Sequence, residues 1–344
     1  THERSSAASD VYKRQEIIEQ ILGPSLGKEF SLAYGVSSKG NFEDAVSVLA
    51  LQDGDYTVRD KLKDARNVLL KYREENRNLP ARDDKVLTAW NCLLAVALAE
   101  AGFYMNRKDW VEKARHIVDF IGSDLIMKES DDFLLSSVYY DDSDKQVPGF
   151  LHDYAYYAQA LLAVAGKVDW IEAGTSSEYI DKAKVCFRHI ESHFGDISAP
   201  GFYYTSKDVE APIVRRKEWF DNATPSGNAM VLHVVSQLYA LTGDAGYETT
   251  LIKERAFYSQ GAKQHASAIA CSLEAIAQGD SIAIIKTNNQ SDIELARKEL
   301  LKHPWKRLFV LFDPEVDFQL CIGKTCFPKR ASLKESLANY SQSI

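Results

Sequence analysis

Residues 151–165, Leu-His-Asp-Tyr-Ala-Tyr-Tyr-Ala-Gln-Ala-Leu-Leu-Ala-Val-Ala, are apolar on nearly every side and stop at Gly166. A helix that is hydrophobic all round is buried all round. The next helical stretch, 178–194, has a single apolar stripe of Tyr179, Ala183, Cys186, Phe187, Ile190 and Phe194, so it buries one face only. The same order occurs on both sides of this pair. Residues 88–101 (TAWNCLLAVALAEA) are apolar and stop at Gly102; 107–122 then present a stripe of Trp110, Ala114, Ile117, Val118 and Ile121. Residues 226–242 (SGNAMVLHVVSQLYALT) stop at Gly243 and are followed by a mixed stretch, 246–260; 262–278 are small and apolar and stop at Gly279. Each of these glycines is placed to serve as a C-cap, where positive φ is needed.

Buried and amphipathic helices therefore alternate, at roughly 60–75 residues per pair. A hairpin of this kind cannot bury its apolar face alone, so hairpins stack side by side. With the inner helix buried on both flanks, the stack curves into a toroid of inner and outer helices; an open superhelix is the alternative. A further charged amphipathic helix is expected over 59–77. After Gly279 the pattern changes: 281–286 (SIAIIK), 307–312 (RLFVLF) and 318–322 (FQLCI) read as short buried strands, with a helix over 291–303. The expected organisation is a predominantly all-α chain. It has an α/α toroid of about four hairpins over 16–279 and a small β-α-β addition over 280–335. Residues 1–15 (THERSSAASDVYKRQ) carry no fold-like pattern and resemble translated adaptor read-through, so they are set aside and expected to be disordered.

The 344 residues are 45% hydrophobic and 26% charged, enough for a substantial core, and the net charge of −8 with no Lys/Arg-rich block argues against nucleic acid as a partner. No apolar run approaches the ~20 residues that span a bilayer. Of five cysteines, Cys92, Cys186 and Cys271 fall in helical patterns and read as small buried hydrophobes. Cys321-x4-Cys326 is neither a C-x-x-C redox motif nor part of a zinc site, and reads as a pair of structural thiols. A reducing, cytoplasmic setting follows. Nucleotide-dependent, zinc-protease and serine-hydrolase chemistry are not expected, and neither a cofactor nor a metal is.

Polar chemistry concentrates in three segments, each at the start of an inner helix: 82–91 (RDDKVLTAWN), 148–154 (PGFLHDY) and 219–228 (WFDNATPSGN). Inner helices of a toroid run parallel, so these starts gather on one face around a concavity, where ligand sites form. Glycoside hydrolysis needs two carboxylates flanking the scissile bond. Asp84, Asp153 and Asp221 are the candidates for catalysis, with Asp208, Glu210 and Glu218 behind them. Epimerisation needs acid and base groups about one carbon, often histidines, and His152 and His233 lie near the expected cavity. Trp90, Asn91, His152, Tyr154, Ser226 and Asn228 are the candidates for binding substrate; Tyr203 and Trp219 are further aromatics able to stack on sugar rings. A structural reading stands beside each: Asp84, Thr88 and Ser226 as helix caps, Asp153 as a dipole partner, Trp90 and Tyr154 as core, His233 as a satisfied core histidine.

The run DDKVLTAWN, followed in order by PGFLHDYA and DNATPSGN, resembles the YyaL / spermatogenesis-associated protein 20 family, as do Gly40-Asn41-Phe42-Glu43 and Cys321-x4-Cys326. The resemblance covers about residues 30–335. It implies an (α/α)6 toroid like those of the N-acylglucosamine 2-epimerases and six-hairpin glycosidases, joined in the family to an N-terminal thioredoxin-like domain. This chain shows about four hairpins and no thioredoxin-like segment, so it is expected to be a C-terminal fragment with an incomplete ring. Two positions depart from the family pattern: Cys92 stands where W-N-G is usual, and His152 where an acid often precedes the Asp. The function expected is that of a carbohydrate-active or sugar-binding toroid, epimerase- or glycosidase-like, with a small-molecule ligand. The alternative is a non-catalytic module that presents clients to the redox domain.

Overall fold

The computed structural model describes residues 15–42, 46–76, 83–127, 133–141, 147–209, 213–279, 281–300, 307–323, 325–329 and 335. Residues 1–14, Glu43, Arg82 and Glu210 lie outside them. The chain divides into two compact units, Thr1–Asp83 and Asp84–Ile344. The first contains α1 (Gln15–Leu22), α2 (Pro24–Ala33), α3 (Tyr56–Lys61) and α4 (Lys63–Asn76), packed around Ile18, Phe30, Tyr34, Leu62 and Leu69. Pro24 opens α2 at a position where a missing N–H costs nothing. The charged helix expected as one piece is two, divided at buried Leu62, where φ −91° and ψ 16° depart from helical values. Gly23-Pro24-Ser25-Leu26-Gly27 has the spacing of a serine nucleophile elbow, but Ser25 lies in the first turn of α2 after another helix, not on a strand-to-helix turn.

The second unit carries the alternation. Strand β1 (Val86–Leu87) leads into α5 (Thr88–Tyr104), which pairs with α6 (Lys108–Asp124); short strands β2 (Ile126–Met127), β3 (Leu134–Leu135) and β4 (Val138–Tyr139) follow. The second hairpin is α7 (Leu151–Val168) with α8 (Ser176–Phe194). The third is α9 (Gly227–Thr242) with α10 (Ala245–His265), after which a 3-10 turn at Ala266–Ile269 leads to α11 (Ala270–Gly279). Helices α5, α7, α9 and α11 pack in that order as the inner row, and α6, α8 and α10 lie outside them. This is α/α-toroid architecture: an arc of three hairpins and a further inner helix. Its middle members show why their sequences are so apolar. Every residue of α7 except His152 is buried. The α5 helix, at the end of the row, leaves Trp90 and Leu94 exposed.

The inner-helix glycines do not all act as caps. Gly243 does, with φ +69°. Gly102 and Gly166 lie inside their helices and allow close approach: a Cβ on Gly166 would meet the Phe309 ring at 3.0 Å, and one on Gly102 would meet Val111 Cγ2 at 2.9 Å. The helix expected to start at 262 starts at Ala270, since α10 continues through Gly261 to His265.

The C-terminal segment forms a four-stranded sheet, β6-β5-β7-β8, from β5 (Ile282–Thr287), β6 (Arg307–Phe312), β7 (Phe318–Ile322) and β8 (Thr325–Cys326). The parallel pair β5–β6 is linked through α12 (Gln290–Leu300), giving the expected β-α-β; β7 and β8 add antiparallel partners. The division expected at 279/280 is not where the chain separates, because the sheet is built onto α7. Buried Lys167 donates to Leu308 O and lies 3.5 Å from Glu100 on α5, Asp169 Oδ2 accepts from Phe312 N at 2.7 Å, and Trp170 Nε1 donates to Glu294 at 2.6 Å. Cys321 and Cys326, expected as free thiols, face each other across β7 and β8 and are joined in a disulfide. That removes the cysteine argument for a reducing compartment. No helix among the described residues is long and apolar enough to cross a membrane.

Candidate functional site

The starts of the inner helices do gather on one face, and named contacts join each neighbouring pair. Asp153, in the first turn of α7, faces the Ala89 N–H of α5 and the Ser137 hydroxyl. A Cβ on Gly227, first residue of α9, would lie 3.1 Å from His152 N on α7. Asp221 joins α9 to α11: Oδ1 accepts from Ser226 N and Oδ2 from Cys271 N, both at 2.9 Å. Two of the three candidate acids thus sit between helix N-termini, where exposed N–H groups and the helix dipole stabilise negative charge.

The connectors fold back over this face. Thr88 N, at the start of α5, donates to Ser137 O at 3.0 Å, and Leu151 N, at the start of α7, donates to Tyr204 O at 2.9 Å. Donors that a helix start leaves without intrahelical partners are satisfied by the connector that follows the same hairpin. Asn228 holds the second connector in place: Oδ1 accepts from Phe202 N at 2.7 Å, while Nδ2 donates to Phe202 O at 3.0 Å and Glu218 O at 2.9 Å.

The candidate residues separate into two groups. Asp153 is 1% exposed; its Oδ2 accepts from Phe150 N at 2.9 Å, closing the first turn of α7. Burial pushes its carboxyl above the usual range, opposed by His152, the Phe150 N–H, the Ser137 hydroxyl and the Ala89 N–H. Tyr154 is core: its hydroxyl accepts from Leu135 N at 2.9 Å and its ring stacks on His189 at 4.8 Å. Ser226 is buried and caps α9, accepting from Ala229 N at 3.1 Å, and Asn228 is buried in its bracket. For Tyr154, Ser226 and Asn228 the expected ligand contact gives way to structural bonds, because the connectors cover them. His233 is likewise internal, its Nε2 3.1 Å from Cys271 O.

The second group faces outward. Trp90 is 65% exposed, one residue beyond Ala89. Asp84 is exposed, while Asn91 is half-buried and donates through Nδ2 to Leu87 O at 2.8 Å. The His152 side chain is 28% exposed, and its Nε2 lies 3.6 Å from Asp153 Oδ1. Around it is an aromatic group that the sequence did not single out. Phe150 stacks on Tyr204 at 4.8 Å, Tyr204 lies 5.5 Å from the His152 ring, and Tyr156 lies 6.1 Å from it and donates to Pro225 O. The recurrence of a Tyr-Tyr pair in successive connectors, Tyr139-Tyr140 and Tyr203-Tyr204, was the available signal. A partly exposed imidazole against a buried carboxylate, rimmed by aromatic rings, can exchange a proton with a ligand lying on the rings. Among the described residues no group of three or more His, Cys, Asp or Glu side chains is arranged to hold a metal ion.

No protein-family model matches the chain. Spermatogenesis-associated protein 20 of Rattus norvegicus is 26% identical over 236 residues, 61% of this chain and 29% of that protein. Its Homo sapiens counterpart is 27% identical over 195 residues, 54% of this chain and 24% of that protein. The chain therefore spans about a quarter of the length of the curated relatives it matches. Among solved structures, a D-mannose isomerase aligns with TM-score 0.40 and 14% identity, over 59% of this chain and 55% of that one. A cellobiose 2-epimerase from Bacillus thermoamylovorans B4167 gives 0.38 and 14%, over 51% and 44%. At these scores the likeness identifies neither a substrate nor a catalytic residue. The family resemblance carried by the three loop motifs agrees with the sequence matches: spermatogenesis-associated protein 20 proteins are among the homologues of this chain.

Proposed function

We propose that the N-terminal face of the inner helices binds a sugar or a similarly hydroxyl-rich small molecule, and that His152 with Asp153 moves a proton there, as an epimerase or isomerase requires. The observation that carries this reading is the partly exposed His152 ring, 3.6 Å from a carboxylate that is 1% exposed. Trp90 and Tyr204 offer ring faces for stacking, and Asp84 and Asn91 offer polar contacts. A glycosidase-like mechanism is less well supported, since Asp221 has both oxygens bonded to backbone N–H groups and Asp153 is buried against several donors.

The test is a thermal-shift screen of aldoses and N-acylated hexosamines, followed by NMR of the binding sugar in D2O. A sugar present at a hundred times its Kd adds about 2.7 kcal/mol of stability. Solvent deuterium is expected at the carbon next to the carbonyl, and His152→Asn is expected to slow this about 10²- to 10⁴-fold while preserving the melting transition. Absence of any sugar-dependent shift would favour the second reading, a non-catalytic module. The structural use of Asp153, Asp221 and Asn228 supports that alternative. On the family resemblance we further propose that in the longer protein this region accompanies a thioredoxin-like domain.

A further inference from the structure

At the opposite end of the inner helices is a cavity of about 290 Å³, lined among others by Ser236, Thr242, Glu248, Arg255, Gly279 and Cys326. It lies at the C-terminal ends of α9 and α11, away from the N-terminal face. One wall is the edge of the sheet. That edge, β8, is two residues long and, among the described residues, pairs only with β7, through Cys321↔Cys326 and Ile322↔Thr325. The disulfide there is asymmetric: Cys321 is 4% exposed within β7, whereas Cys326 is exposed and lines the cavity. Glu248 and Arg255 bring one charge of each sign, and Ser236 and Thr242 bring hydroxyls.

We propose that Cys321–Cys326 is an exchangeable disulfide, attacked at Cys326 by a low-molecular-weight thiol that enters this cavity. Exchange requires a thiolate to reach one sulfur in line with the other, so access decides which sulfur is attacked. The thiolate bonds to Cys326 Sγ, the Sγ–Sγ bond breaks, and Cys321 leaves as a thiolate that takes a proton from solvent. A second thiolate then attacks the mixed disulfide on its non-protein sulfur, releasing Cys326 as a thiolate and the small molecule as its own disulfide. Two small thiols are oxidised and one protein disulfide is reduced. Burial makes Cys321 a poor leaving group, so the first step is slow, on the minutes-to-hours scale of uncatalysed exchange. Opening the bond leaves β8 held by its short ladder alone, so the wall of the cavity loosens.

The experiment uses the air-oxidised chain, incubated with reduced glutathione under native conditions, quenched with acid at early times and mapped by peptide mass spectrometry. The glutathione adduct is expected on Cys326 at no less than tenfold excess over Cys321, with the circular dichroism of the helices unchanged. As a second arm, in a Cys271→Ser background that removes the half-buried free thiol, Cys321→Ser is expected to react with a chromogenic aromatic disulfide at least tenfold faster than Cys326→Ser does, the buried Cys92 and Cys186 being silent in both. Equal labelling of the two positions, an adduct mainly on Cys321, reduction only after urea unfolds the chain, or Cys321 and Cys326 both found as free thiols in the air-oxidised protein would each overturn the proposal. If either variant fails to fold, adduct mapping on the unaltered chain decides.

Discussion

Asp221 shows how one side chain can fix a junction. Each of its oxygens receives a backbone N–H from a different helix start, so the carboxylate replaces water at two sets of open donors. Asp221→Asn keeps one acceptor but turns an amide NH₂ toward a second N–H. Urea denaturation is expected to show a loss of about 1–3 kcal/mol, the cost of an unpaired donor in a part-buried site. A loss within error of zero would show that solvent already reaches the junction. His233 gives a pH signature. Burial, and then Arg307, hold its imidazole down to about 3, so it is neutral in the folded chain. The unfolded chain binds that proton near pH 6.5, and the folded chain does so only near pH 3. Stability from this residue is therefore complete above pH 6.5 and falls between 6.5 and 3, by at most a decade in the folding constant per pH unit. His233→Gln should flatten the acid limb of a denaturation series; an identical limb would remove the histidine from the account.

Among the elements, the starts of the inner helices matter most. The Asn228 side chain on α9 makes three bonds to the connector before it, and Asn228→Ala leaves one N–H and two carbonyls of that connector unpaired in a buried place. About 2–3 kcal/mol is expected to be lost, with faster amide exchange at Phe202 as the local readout. These elements also show what the sequence made readable. The inner helices were legible because a residue run such as Ala158–Ala165 has no polar side to turn outward except Gln159. The gathering of their starts followed from the same alternation. The role of each acid did not. A carboxylate near a helix start looks the same in sequence whether it serves its own helix, as Asp153 does with Phe150 N, or a neighbour, as Asp221 does with Cys271 N. Gly102 and Gly166 were misread for a similar reason: a helix stop and a close contact both select glycine, and only the tertiary neighbour tells them apart. Cys321 and Cys326 looked unlinked because sequence spacing does not reveal that two short strands place them in register.

For the whole molecule, the sheet and the arc share one core. Ile282, Ile284, Phe309 and Leu311 belong to the same buried cluster as Leu161 and Leu162 of α7 and Val231 and Leu238 of α9. The sheet and α7 are therefore expected to unfold in one transition. Hydrogen exchange in rising urea should give the same opening free energy for Phe309 and Leu161 amides, within about 0.5 kcal/mol. A sheet that opens first, by several kcal/mol, would mean that the contacts of Lys167 and Gly166 are incidental. The connectors have another effect at this scale. Ser137 returns to Thr88, and Tyr204 returns to Leu151, each about fifty residues along the chain. Each of the first two hairpins is tied at the start of its inner helix by its own tail. A ribosome that has released one of these hairpins with its connector has released that tie as well, while the burial of the inner helix waits for the next hairpin and, for α7, for the C-terminal sheet.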